Sequence, residues 1–269
     1  MFGSSYEICR IREIPIRVHI TLVVLLPVMA MFFSQRVGLP LLLSAGIMIL
    51  FFCSVALHEM GHALIAMREG CGVRQILLLP IGGVAELSHI PERPAAEIKI
   101  AVAGPIVSLG IAIATGLIAE GFHLLGIPLL FEIFAILSAV NAGLLLFNLL
   151  PSFPMDGGRV LRAVLSPRRG RLEATRIAAR IGQGMAGLFL VIGLARLDLV
   201  LVAISFFIFF AARAEYRFVR YENIRKRYPA VDVQGRPPPL GYEDVAVGPP
   251  PFAPQQGART ATPLHRKKG

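Results

Sequence analysis

The sequence predicts an all-α polytopic membrane protein of about six transmembrane helices, with one short re-entrant or β-hairpin segment near residues 76–87. Three observations carry this reading. Of 269 residues, 55% are hydrophobic and only 16% charged, with a mean hydropathy of +0.67, far more apolar than a soluble globular chain. The apolar residues lie in long runs separated by arginine-rich loops. One stretch, "ILLLPIGGVAEL", is apolar but only about a dozen residues long and is broken by Pro80 and Gly82-Gly83, so it is too short to cross.

A spanning helix needs roughly 20 apolar residues. The runs that qualify, in order, are 18–33, 39–67, 98–119, 127–150, 181–194 and 197–212, of which the first and the last two are short. Arg10, Arg12 and Arg17 precede the first run, and no small-residue cleavage site follows Phe33, so this run reads as a retained span rather than a signal peptide. The "ILLLPIGGVAEL" segment follows the second span. Irregular backbone at membrane depth survives only when buried in protein or facing water, so the segment is expected to pack on other spans as a hairpin or an edge strand. Arg68, Arg74, Arg93 and Lys99 lie between spans two and three, and Arg159 to Arg180 supplies seven arginines between spans four and five. The opposite loops carry only Arg36 and Arg196. By the positive-inside rule both termini are cytoplasmic and the protein is a multi-pass cell-membrane protein.

Residues 1–216 thus read as one membrane domain. Residues 217–269, rich in Pro, Gly and charge, read as a disordered basic tail. The formal net charge of +10 fits an anionic cytoplasmic leaflet, and nucleic acid is not an expected partner. Three widely spaced cysteines, Cys9, Cys53 and Cys71, form no disulfide framework or zinc knuckle and are expected as small buried apolar residues.

Against this background the stretch "SVALHEMGHALIA" stands out. His58 and His62, four residues apart, share a helix face and can grip one ion, and Glu59 can reach a water on that ion. This is the zincin pattern H-E-x-x-H, and the expected cofactor is one Zn2+. Catalytic zinc takes three protein ligands and keeps an open position for water, so a third ligand is needed. Asp156, in "FNLLPSFPMDGGRV" just after span four, is the strongest candidate. It and His62 fall at similar depth beneath the cytoplasmic face, whereas Glu132 and Asp198 fall near the outer surface. Pro151 and Pro154 are expected to end the helix and let a strand-like segment turn Asp156 inward, with Gly157-Gly158 allowing close backbone approach. Burying such ionisable groups in a membrane costs at least about 2.5 kcal/mol each, which makes them functional candidates by default.

These residues resemble the site-2 proteases, intramembrane zinc metalloproteases, and in particular the bacterial and archaeal branch that includes the sporulation pro-sigma-factor processing enzyme. His58, Glu59 and His62 match the first signature of that family. Asn148, Pro151, Asp156 and Gly157 match the second, an N-x-x-P followed by D-G. "PIRVHIT", "PIGGVAEL" and "AGPIVSL" resemble three further segments, and the resemblance covers roughly residues 15–215. It implies a six-span fold with a three-span catalytic core, zinc held by His58, His62 and Asp156, and cleavage of a substrate's membrane-spanning segment. The substrate classes it implies are an anti-sigma factor, a membrane-tethered transcription factor or a signal-peptide remnant. The loops leave no room for the PDZ domain some members insert, and the polar tail is too short for the CBS pair others append. Ser108 stands where many relatives have asparagine.

In the mechanism expected from these residues, Glu59 takes a proton from water and later passes it to the leaving amine. Asn148 is a candidate to hydrogen-bond the substrate backbone or steady the oxyanion, and Asn141, two turns earlier, reads as interhelical glue. Gly82 and Gly83 are candidate substrate-binding residues, on an edge that pairs with an unwound substrate. His19, His89 and His123 read as surface or interface residues rather than ligands, and Gly104-Pro105 as a site of close helix packing or a kink. The alternative is a non-proteolytic metal-binding protein or transporter. Such a protein has no need of Glu59, and the chain shows no inverted repeat.

Overall fold

The computed structural model describes residues 5–88, 91 and 93–227. In chain order the elements are β1 (Ser5–Ile11), β2 (Ile14–His19), α1 (Ile20–Val37), α2 (Leu41–Arg68), β3 (Val73–Leu79), β4 (Gly82–Leu87), α3 (Pro94–Leu124), α4 (Pro128–Asn148), α5 (Asp156–Arg169), α6 (Arg171–Ala195) and α7 (Leu199–Arg227). All of these helices except α5 are long and apolar enough to cross a membrane, which makes six spans among the described residues. Helix boundaries follow local chemistry. Prolines at the first positions of α3 and α4 give up an amide that would be unpaired there anyway, and Gly38 closes α1 in the left-handed conformation at φ 78°. Asp198 caps α7, its carboxylate accepting from the amides of Val200 and Leu201 at 3.0 and 3.2 Å.

The short segment near residues 76–87 is a β-hairpin, β3–β4, and it belongs to a larger sheet than the sequence reading anticipated. The residues ahead of the first span fold into the hairpin β1–β2, and β2 pairs parallel with β3, so the strand order is β1-β2-β3-β4. The apolar alternation Ile14, Ile16, Val18 turns one face of β2 into the core, where it meets Phe52, Val55, Met60 and Ala63 of α2 and Ile76 and Leu78 of β3. The sheet therefore lies on the half of α2 that carries the H-E-x-x-H motif, with β4 at its edge.

Helices α2, α3 and α4 pack on one another. Asn141 of α4 is fully buried and donates from Nδ2 to Ser54 Oγ of α2 at 3.2 Å, a bond between helices as expected. Many large apolar side chains remain exposed, Leu42, Leu117 and Val191 among them, as lipid-facing surfaces require. This corrects the reading of the cysteines. Cys71 is buried, but Cys53 is exposed on the spanning helix α2, where an apolar residue in a bilayer need not turn inward, and Cys9 is exposed on the edge strand β1.

Two further differences concern the arginine-rich segments. The arginine-rich stretch after span four is helical rather than a loop, comprising α5 and the first turns of α6. Helix α7 continues through Arg227, past the expected domain boundary at 216, and the remainder of the expected tail, 228–269, lies outside the described residues, as does His89.

Candidate metal centre

The α-helical spacing of α2 places His58 and His62 on one buried face, with 3% and 5% of their surfaces exposed. Both rings are oriented by α3. The His62 Nδ1 lies 2.7 Å from the carbonyl of Ile100, and since a carbonyl only accepts, this nitrogen carries the proton and Nε2 keeps its lone pair. The His58 Nδ1 lies 2.9 Å from the Ser108 hydroxyl. Gly104, one helical turn from both of those contacts, lies directly beneath the rings. A Cβ there would sit 2.6 Å from His58 Nε2 and would collide with His62 Nε2. The sequence reads Gly104-Pro105 as a site of close helix packing or a kink; the contact of Gly104 is with the imidazoles themselves.

Asp156 arrives from the other side. Helix α4 ends at Asn148, and the segment through Met155 is not the strand expected but a series of turns, with Ser152 and Met155 linked by a 3.0 Å backbone bond. Asp156 is then the first residue of α5, where the exposed amides and the helix dipole favour a carboxylate. Gly157 and Gly158 are needed for close approach, because a side chain at either would run into the backbone of residues 149–153. Asp156 lies outside the spanning helices.

The three groups converge. His58 Nε2 is 3.2 Å and His62 Nε2 3.1 Å from Asp156 Oδ2, and the two ring nitrogens are 3.1 Å apart. Tetrahedral zinc with bonds of about 2.0–2.1 Å would hold its ligand atoms about 3.3 Å from one another. The fit is also chemical. Lone pairs on a neutral imidazole, a second imidazole and a carboxylate repel at this distance unless a cation lies among them, and two histidines with one carboxylate form a borderline-soft donor set suited to Zn2+. Among the described residues His58, His62 and Asp156 are the one group of three so arranged.

Beside them opens a cavity of about 320 Å³, lined by α2, β3, β4, α3, α4, α5 and α7. Glu59 projects into it and accepts a hydrogen bond from the Ala85 amide of β4 at 3.1 Å. Gly83 packs directly on the Glu59 side chain, and a Cβ at Gly83 would overlap it. Gly82, at φ 137°, forms the start of β4 with open space around it. Asn148 lines the cavity, with its amide nitrogen donated to the Leu144 carbonyl at 3.0 Å. Glu132 is not part of the cavity lining, and Asp198 is committed to its cap.

Comparison with known proteins agrees with this geometry. Residues 46–125 and 123–192 match the profile of peptidase family M50. The chain belongs to that family. It is 39% identical over 249 residues to the zinc metalloprotease MJ0392 of Methanocaldococcus jannaschii, covering 90% of this chain and 70% of the relative. It is 28% identical to the stage IV sporulation protein FB of Bacillus subtilis over 64% of this chain and 59% of that protein. The solved structure of the site-2 protease from Methanocaldococcus jannaschii superposes with a TM-score of 0.61 at 38% identity, covering 79% of this chain and 95% of that one. This M50 protein is therefore a multi-pass membrane zinc metalloprotease of the site-2 type, and its cofactor is Zn2+.

Proposed function

We propose that this M50 protease hydrolyses a peptide bond within or near the transmembrane segment of another membrane protein, with His58, His62 and Asp156 holding the metal and Glu59 as general base and acid. The observation that supports this most is the meeting of three ligand atoms within 3.1–3.2 Å beside a cavity that also contains a carboxylate. Bound zinc supplies Lewis acidity, lowering the pKa of water towards neutrality and polarising a carbonyl. The protein residues supply the rest. Ile100 and Ser108 hold the imidazoles in orientation, and the buried setting excludes bulk water. Glu59 removes a proton from the attacking water and delivers it to the amine nitrogen as the C–N bond breaks.

A substrate helix shields its peptide bonds with its own hydrogen bonds, so the target must unwind first. Gly82 and Gly83 leave the β4 edge bare enough for an extended segment to lie along it, and Asn148 faces the same space. The site is formed from the end of α2, the end of α4 and the start of α5. The arginines at this end support a cytoplasmic placement of the site and of both termini. The catalytic domain in this reading runs to the end of α7 at Arg227, with 228–269 a separate segment. The substrate is a single-pass or signal-like membrane segment, such as an anti-sigma factor, a tethered transcription factor or a signal-peptide remnant.

The test is zinc content by mass spectrometry on detergent-purified protein, together with cleavage of a transmembrane peptide, for wild type, Glu59→Gln and Asp156→Ala. Wild type and Glu59→Gln should retain zinc, Asp156→Ala should lose most of it, and only wild type should cleave. Zinc bound equally by all three would remove Asp156 from the ligand set.

A further inference from the structure

Arg159 lines the cavity with His58, Glu59, His62 and Asp156, and the mechanism above gives it no task. It follows Asp156 by three positions on α5, so both side chains emerge on one helix face. Unlike the buried metal ligands beside it, Arg159 keeps an exposed surface. Among the described residues it makes no hydrogen bond and no ion pair. Arg162, one turn further on, is the opposite case. Its guanidinium is buried and saturated, bonded to Glu97 of α3 and Glu215 of α7 at 2.7 Å each and stacked 4.9 Å over the Phe153 ring.

The carboxylates within electrostatic reach of Arg159 are Asp156, Glu215, Glu59 and Glu97, and each has another partner. Asp156 meets the histidines, Glu59 takes the Ala85 amide, and Glu97 and Glu215 are held by Arg162. The cavity thus offers one guanidinium whose donors are available to an incoming anion.

We propose that Arg159 is a catalytic residue that binds the oxygen of the scissile carbonyl as it becomes negative and then the carboxylate of the newly formed C terminus. This rests on the protease reading. Water oxygen bonds to the carbonyl carbon while Glu59 takes a proton, and the carbonyl π pair moves onto oxygen, where the Arg159 N–H groups receive it. That pair re-forms the double bond as the C–N bond breaks, nitrogen leaves with the bonding electrons and the proton from Glu59, and the acid so formed ionises. A planar guanidinium fork matches both the single oxygen and the two-oxygen carboxylate, which a lysine does not.

The experiment uses the detergent-purified full chain as wild type, Arg159→Lys and Arg159→Gln. Zinc content, kcat and KM on a transmembrane peptide that wild type cleaves, and binding of the N-terminal product peptide as free acid and as carboxamide are measured for each. Zinc should be unchanged. In Arg159→Gln kcat should fall about 10²-fold or more with KM nearly constant, the scale for loss of an oxyanion donor. The same variant should lose most of the preference for acid over amide, with Arg159→Lys between the two. A raised KM at unchanged kcat, an unaltered acid preference, or loss of zinc would overturn the proposal, the last by reducing Arg159 to a support for Asp156. Defects confined to peptides with an acidic side chain near the cleaved bond would overturn it too, since the guanidinium would then read a side chain. Absence of zinc and cleavage in wild type would sink the protease reading itself, a result distinct from a normal wild type with indifferent Arg159 variants.

Discussion

A single hydrogen atom at Gly104 separates the α3 backbone from both imidazoles. Gly104→Ala should push the rings off their common point and strip zinc from the purified protein, whereas Gly110→Ala on the same helix, with open space around it, should leave zinc content unchanged. Ser108→Ala removes the partner of His58 Nδ1 and should weaken zinc binding about 10–100-fold in a chelator competition. His58, Glu59, His62 and Asp156 were legible in the sequence because their chemistry is expensive in a membrane and their spacing is specific. Gly104, Ser108 and Arg159 were not. A glycine or serine in an apolar helix reads as packing, and nothing in its spacing says that its neighbour is a histidine some forty positions earlier in the chain. Arg159 opens an arginine-rich stretch whose charges read as an orientation signal for the membrane.

Helix α5 is the element on which the site depends most and the one the sequence concealed. Its Asp, paired glycines and arginines carry little apolar signal, and Pro167 lies within its last turn, so it reads as loop. Yet its N-terminus presents Asp156, and its buried Arg162 ties it to α3 and α7 through Glu97 and Glu215. Arg162→Ala would remove the cation that Glu97 and Glu215 share, leaving Glu97 only Arg171 at 3.9 Å, and the loss should be about 3–5 kcal/mol, seen as a large drop in Tm. Arg162→Lys should recover only part of it, since one ammonium cannot reproduce the fork between two helices. If Arg162→Ala melted like wild type, the ion group would be incidental to the fold. The hairpin β1–β2 was equally hidden, though Ile14, Ile16 and Val18 show the period-2 alternation that marks a strand. An apolar run beginning at Val18 drew attention to the span instead.

For the whole molecule, span number and hydropathy were legible because the bilayer fixes both length and polarity. The sheet was not, because a parallel pair between β2 and β3 joins segments separated by two membrane helices. Orientation is open to direct measurement. In a cysteine-free background, Leu197→Cys, on the loop opposite the site, should react with a membrane-impermeant thiol reagent in intact cells, while Gly170→Cys, between α5 and α6, should react only after permeabilisation. The reverse pattern would place the site on the outer face.

The pairing of β2 with β3 also sets an order of events during synthesis. As β2 leaves the ribosome its partner does not yet exist, and two helices must enter the bilayer before Ile16 can meet Ile76. The hairpin beneath Glu59 therefore gains its inner neighbour only once β2 has been captured. A bulky fusion immediately ahead of Ser5 would interfere with that capture, and would silence the enzyme without touching a residue of the metal centre.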